Sequence, residues 1–462
     1  MGKRKRQQKT MWVSASELPR SPGHPFYVRL NQALELAGFD GFVERVCRGF
    51  YAPVLGRPGL SPGRYFRLLL LGYFEGLDSE RGIAWRAADS LAIRSFLGLE
   101  PDEAAPDHST ISRNRRLIDV ETHRQVFTWI QERLVVAGLL VGKTVSIDGT
   151  TLEANAAMRS IVRQDTGESY QEFLKRLAKE SGIKTPSRAA LARLDRRRQK
   201  KGSNEEWRSP SDPDAKITKM KDGRTHLAHK AEHAVDMKTG AIVAVTIQGA
   251  DEGDTTTLDE TLKQAEEQIE TVMRRTESWG TDGLQELVAD KGYHSTKTLL
   301  DLEERAIRGY VSEPDRGRRK WRDDVEGQAA VYANRRRIRG ARGLGLQRLR
   351  GERVERSFAH LYETGRMRRT HLRGHTNILK RLLIHSGAFN LGLLLRSWLG
   401  VGTPRGLQGR MRAILAVLDH LVSVLKAHCA RFFGTRHHSR VRTTALPPPS
   451  VPAAKTVFTT GC

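Results

Sequence analysis

Thr144-Val145-Ser146-Ile147-Asp148-Gly149 is a short β-branched run that closes on an acid, and Leu287-Val288-Ala289-Asp290-Lys291-Gly292 repeats the pattern later in the chain. Such runs read as strands. Between them, 227–235 and 241–247 alternate as a hairpin that turns at Lys238-Thr239-Gly240. Helical spacing follows over 259–275 and 295–305, and 309–312 reads as one more short strand. The order is strand, hairpin, helix, strand, helix, strand, helix. That alternation predicts a mixed α/β sheet flanked by helices, with acids at strand ends.

Upstream, the pattern is helical from residue 31 to 117 and again over 120–137. Ser61-Pro62 suits a helix start, and Gly76, Gly98 and Pro106 suit breaks. The segment DHSTISRNRRL (107–117) predicts a helix capped by Ser109 or Thr110. Arg113, Asn114, Arg115 and Arg116 follow in its first turns, which suits insertion into a DNA major groove. These features divide the chain into a basic flexible arm (1–20), an all-α DNA-binding domain (21–140) and an α/β domain (141–400). A charged insertion over about 157–225 reads as a solvated helix with a flexible stretch, and 314–350 is very basic with few apolar anchors. The tail (401–462) holds an apolar helix over 411–428 and then a basic, Pro-rich end expected to be disordered.

The chain has 462 residues, with 78 Lys and Arg against 53 Asp and Glu, a formal charge of +25. A polyanionic partner, nucleic acid first, follows from that excess. Cys47, Cys429 and Cys462 are odd in number and far apart, which excludes a disulfide scaffold and a zinc ribbon. The basic N-terminus has no apolar stretch after it and is not read as a secretory signal. The apolar region 382–399 is interrupted by His385, Asn390 and Arg396, so it reads as a core helix and not as a membrane span. A cytoplasmic, nucleoid-associated protein is the expectation. No glycine-rich phosphate loop is present, so no nucleotide cofactor is expected.

Cutting a phosphodiester needs stabilisation of both the attacking and the leaving oxygen, and two Mg²⁺ ions ~4 Å apart can supply it. Mg²⁺ prefers a few carboxylates plus water and phosphate oxygens. Asp148 and Asp290 at strand ends, with Glu355 at the start of a later helix, make such a set. Asp251 and Asp254, in GADEGD, are rival acids, but their glycine-rich setting favours a turn or helix cap. His226, His229 and His233 have zinc-like spacing, yet a strand would put 226 and 229 on opposite faces. His371 and His375 sit among Arg and Gly, which favours phosphate contact over metal.

Three blocks around these acids resemble the bacterial insertion-sequence transposases with an RNase H-like DDE core. They are SIDGTTLEANA (146–156), LVADKGYHS (287–295) and RVERSFAHLYETGRMRRTHLRGHTNILKRLLIHSGAFNLG (353–392). The stretch 218–258 resembles the family's linking region, and 57–99 with PDHSTISR (106–113) its helical N-terminal domain. The likeness spans roughly residues 20–400. It implies an RNase H-like mixed sheet and an enzyme that binds the terminal inverted repeats of its element, cuts the ends and joins the freed 3′-OH to target DNA. It implies two Mg²⁺ or Mn²⁺ ions on Asp148, Asp290 and Glu355, and a homodimer on DNA. Relatives often carry Lys or Arg where this chain has Tyr362, which leaves Arg353 and Arg356 as candidate phosphate clamps. Tyr293 and His294 are candidates for active-site support. Two other classes stay open: a silent DNA-binding relative, and a resolvase-like nuclease that cuts without joining.

Overall fold

The computed structural model describes residues 21–52, 59–183, 185–198, 202–220, 222–277, 283–315, 317, 319, 321 and 324–407. Contacts divide the chain into 1–408 and 409–462, and only the first unit lies within the described residues. The basic arm 1–20 and the predicted helix over 411–428 lie outside them.

Seven helices come first: α1 (Pro25–Leu36), α2 (Phe39–Cys47), α3 (Pro62–Phe74), α4 (Glu80–Asp89), α5 (Leu91–Phe96), α6 (His108–Leu117) and α7 (Val120–Val136). Pro62 starts α3 after Ser61, and Gly76 and Gly98 end their helices in the left-handed region. Helix α6 is capped by Asp107, whose carboxylate accepts from Ser109 N at 2.8 Å, and not by Ser109 or Thr110. An aspartate two residues before Ser109 reaches the free amides of the first turn, so the helix begins at least two residues sooner than the hydroxyls suggested.

Strand β1 (Thr144–Glu153) opens the sheet. A small insertion follows: β2 (Val162–Arg163), α8 (Tyr170–Glu180), α9 (Arg188–Arg197) and β3 (Trp207–Arg208). Then come β4 (Lys216–Lys219), β5 (Thr225–Asp236), β6 (Ile242–Gly249), α10 (Asp254–Arg275), β7 (Glu286–Ala289), α11 (Thr296–Glu304) and β8 (Arg308–Val311). Helices α12 (Val325–Arg339), α13 (Ala341–Phe358) and α14 (His375–Leu399) complete the unit. The sheet order is β4-β5-β1-β7-β8, with β6 also paired to β5. Strands β5 and β6 run antiparallel, β1 is antiparallel to β5, and β1, β7 and β8 are parallel. This is the mixed sheet expected from the order of elements. The hairpin turns where predicted: Asp236 Oδ1 accepts from Lys238 N at 2.7 Å and Thr239 N at 3.1 Å, and Gly240 takes a φ of 80°.

The helices do not form a core of their own. One apolar cluster runs from Phe26, Tyr65 and Phe127 through Leu382 and Phe389 to Leu152, Ala231 and Ile242 on the sheet. Helix α14 is the shared spine, packed against α3, α7 and β6. Asn390 fixes its register on β6, accepting from Ile242 N at 2.9 Å and donating to Ile242 O at 2.8 Å. The stretch His375–Gly406 is long and apolar enough to cross a membrane by length and composition, and 89 % of its apolar window is buried in the fold.

Two regions are more ordered than their sequences suggested. The insertion carries its own cluster of Ile161, Phe173, Leu174, Trp207 and Ile217. Its apolar residues are far apart in sequence, so no local window shows them. The basic stretch from 325 onward is helical and docks α12 and α13 on the sheet through Ala330, Val331, Asn334 and Val354, all fully buried.

Candidate active site

The register of β1 and β7 pairs Ile147 with Ala289. The residues that follow each are Asp148 and Asp290, so two carboxylates leave neighbouring parallel strands at the same level. Only Asp290 stands at a strand end. Strand β1 continues to Glu153 because Thr150 and Leu152 pair onward with β5, which leaves Asp148 in mid-strand. The Asp148 carboxyl is pushed up to about 6, chiefly by burial and further by the Asp290 charge, against the pull of Arg350 and of the Gly149 amide. Arg350, on α13, places Nη1 2.8 Å from Asp148 Oδ2. Asp290 accepts from Gly292 N at 2.7 Å and so orders the turn Lys291–Tyr293.

Gly292 is needed here. A Cβ on it would lie 3.0 Å from Asp290 Oδ1 and would collide with Asp254 Oδ2. Asp254 therefore approaches the same turn from the first turn of α10. It is also held by Lys230 Nζ at 2.7 Å. Lys230 in turn lies 3.1 Å from the fully buried Glu232, and donates to Thr257 Oγ1 at 2.8 Å. Glu232 accepts from Thr257, from Thr261 at 2.6 Å and from Tyr293 Oη at 3.0 Å. A Cβ on Gly149 would meet Lys230 Cε at 3.0 Å and Tyr293 Oη at 3.3 Å, so the buried network presses directly against the residue after Asp148. None of Lys230, Glu232 and Arg350 was singled out from the sequence. The strand alternation of Lys230 and Glu232 was a usable signal, since two charges on the buried face of a central strand need each other.

Tyr293 and His294 are 1 % exposed. Tyr293 packs beneath Gly149 and is raised well above the phenol range by burial and by Glu232. Both rings lie inside the fold. Tyr362 is also buried and donates to His233 Nε2 at 2.6 Å, while His233 Nδ1 lies 3.1 Å from Ser357 Oγ. Burial holds His233 down to about 3, so this pair is a neutral clasp between β5 and the end of α13.

Glu355 does not open a helix. It lies in the last turn of α13, which widens into a π-helical stretch over Ala359–Thr364. The helix starts earlier because the Arg-rich run from 341 carries Gln347, Arg350 and Val354 on the sheet side. Glu355 is exposed, and its carboxylate has no hydrogen bond or ion pair among the described residues. Among those residues no three His, Cys, Asp or Glu side chains are gathered as a metal group. Asp148 and Asp290 still suit a hard divalent cation: both donors are carboxylate oxygens, side by side, one of them penalised by its neighbour's like charge. Arg353 and Arg356 are half-buried on the same helix.

On α6, Arg113 and Arg116 are exposed, whereas Asn114 and Arg115 are both 7 % exposed. Asn114 accepts from Tyr51 Oη at 2.9 Å, and Arg115 binds Glu80 Oε1 at 2.7 Å. These two side chains hold α6 to its neighbours, which corrects the expectation that all four face DNA. A ten-residue amphipathic helix has to turn one side inward, and here polar side chains fill part of it. His229 pairs with the buried Asp212 at 3.2 Å, His226 with Asp222 at 3.0 Å, and His371 lies 3.4 Å from Asp78.

Family comparisons match two parts of the chain. Residues 15–117 match the family described as Transposase domain (DUF772). Residues 171–391 match the family described as Transposase DDE domain. No curated protein matches the chain.

Proposed function

Because the chain belongs to the insertion-sequence DDE transposases, we propose that it binds the terminal inverted repeats of its own element, cuts there and transfers the freed 3′-OH to target DNA. DNA is the substrate and the family generally works with divalent metal ions. The observation that carries the reading is the Ile147–Ala289 register, which sets Asp148 and Asp290 side by side.

Asp148 and Asp290 would hold Mg²⁺ or Mn²⁺, with Glu355 as the third carboxylate, recruited from the helix that already touches Asp148 through Arg350. Bound ions of that kind, two in this reading, supply charge that activates a water or 3′-OH and stabilises the leaving oxygen. The chain's own part is positional. Asp290 orders the Lys291–Tyr293 turn, Gly292 leaves room between Asp290 and Asp254, and Gly149 lets Lys230 and Tyr293 pack against the residue after Asp148. The Lys230–Glu232–Asp254 network holds that ground rigid from beneath. Arg113 and Arg116 are proposed to contact the inverted repeat, and Arg353 and Arg356 the phosphates near the cut. Two ends must be paired, so a homodimer on DNA is part of the proposal.

The test is cleavage and strand transfer on DNA carrying the element's ends, with Mg²⁺, for wild type beside Glu355→Gln. Cutting and joining by wild type alone supports the reading. Cutting without joining makes the protein a nuclease, and binding without cutting makes it a silent relative.

A further inference from the structure

We propose that Arg350 is a built-in counter-ion for the carboxylate pair. In the DNA-free chain its guanidinium stands on Asp148 where a divalent cation would bind, and a cation has to displace it. This rests on the reading of Asp148 and Asp290 as metal-holding residues.

Two carboxylates on adjacent strand positions repel each other, and a partly buried site can relieve this by protonation, by a cation or by a basic side chain. The basic side chain is present. Arg350 Nη1 lies 2.8 Å from Asp148 Oδ2, and the two side chains are 21 % and 25 % exposed. The nearby Lys230 is committed elsewhere, to Glu232, Asp254 and Thr257. Helix α13 is pinned on both sides of Arg350. Gln347 Nε2 donates to Tyr310 O at 2.6 Å, and the Ser357 hydroxyl meets His233. The guanidinium is thus delivered to the pair by the fold.

The fit is also incomplete, as expected of a contact made to be broken. Arg350 meets Asp148 through one nitrogen, and its Nε is buried with no hydrogen-bond partner. A permanent Arg–carboxylate bridge is more often bidentate. The partial exposure of the side chain leaves it a path to solvent. The pair keeps the carboxylates balanced before a cation arrives and opposes cation binding by the energy of the ion pair.

The experiment is Mn²⁺ binding to the full chain without DNA, read from the electron paramagnetic resonance signal of free Mn²⁺. Wild type is compared with Arg350→Gln, Arg350→Ala, Asp148→Asn and the double variant Asp148→Asn/Arg350→Gln. The expected result is a site lost in Asp148→Asn and about tenfold tighter in both Arg350 variants, about 1.4 kcal/mol. The gain has to vanish in the double variant. Either folded Arg350 variant binding Mn²⁺ no more tightly than wild type, while Asp148→Asn still removes the site, overturns the counter-ion proposal and leaves the metal reading standing. Binding unchanged by Asp148→Asn overturns the metal reading and the proposal with it.

Discussion

Ile147 and Ala289 are register partners on parallel strands, and the acids that follow them, Asp148 and Asp290, meet because of it. A sheet turns two residues far apart in sequence into neighbours, and the Asp290 charge adds to the burial that raises the Asp148 carboxyl.

Asp148→Asn and Asp290→Asn should each lower DNA cleavage about a thousandfold or more while leaving end binding within about twofold, since each removes charge from the site and neither touches DNA as a basic side chain would. Glu355→Gln should match them. Full-rate cutting by Asp290→Asn would show that the pair is not the catalytic centre.

Metal binding should follow the Asp148 carboxyl. Its value of about 6 in the fold lies above the usual 3.8, so the proton is held more tightly in the folded state. Its contribution to stability is therefore complete below about pH 4 and is lost as pH rises through about 6. Cation binding needs the ionised form. Mn²⁺ affinity should be level above pH 6 and fall about tenfold per unit below it. Titrations at pH 5, 6, 7 and 8 check this, and a pH-independent affinity would contradict it.

Lys230→Met should destabilise the protein by about 3–5 kcal/mol, because the buried Glu232 would lose its cation while the aliphatic stem is kept. Urea unfolding measures it. A loss below about 1 kcal/mol would mean that Thr257, Thr261 and Tyr293 satisfy Glu232 unaided.

Gly292→Ala should impair cutting more than folding. The added methyl would press on Asp290 Oδ1 at 3.0 Å and strike Asp254, both near the site. Gly149→Ala, with its Cβ 3.0 Å from Lys230 Cε, should cost about 1–3 kcal/mol of stability. Thermal melts beside cleavage rates separate the two effects.

Arg113→Ala and Arg116→Ala should each weaken DNA binding and reduce the salt slope by about one. Arg115→Ala should instead lower the melting temperature, since Glu80 would lose its partner at 2.7 Å. Equal salt slopes for Arg113→Ala and wild type would remove α6 from the interface.

What could be read without the structure was local. The alternation in β5 and β6, the Asp236–Gly240 turn, the Ser61-Pro62 helix start and the acids in LVAD and SIDG all act within a few residues, where periodicity and turn chemistry decide. The Arg-rich run before Glu355 hid a helix because its apolar anchors are sparse, and the insertion hid a core because Phe173 and Trp207 are far apart in sequence.

By itself, then, the sequence determined the β5–β6 hairpin, the strand runs that carry Asp148 and Asp290 and the strongly periodic helices, because backbone geometry repeats over two or four residues and leaves its mark at that spacing. Tertiary structure decided which charges meet: Arg350 on Asp148, Lys230 between Glu232 and Asp254, Arg115 turned inward to Glu80, and Glu355 left on the exposed side of α13. Those pairings depend on strand register and on which face of a helix docks, and a residue's partner across the fold has no period in the chain.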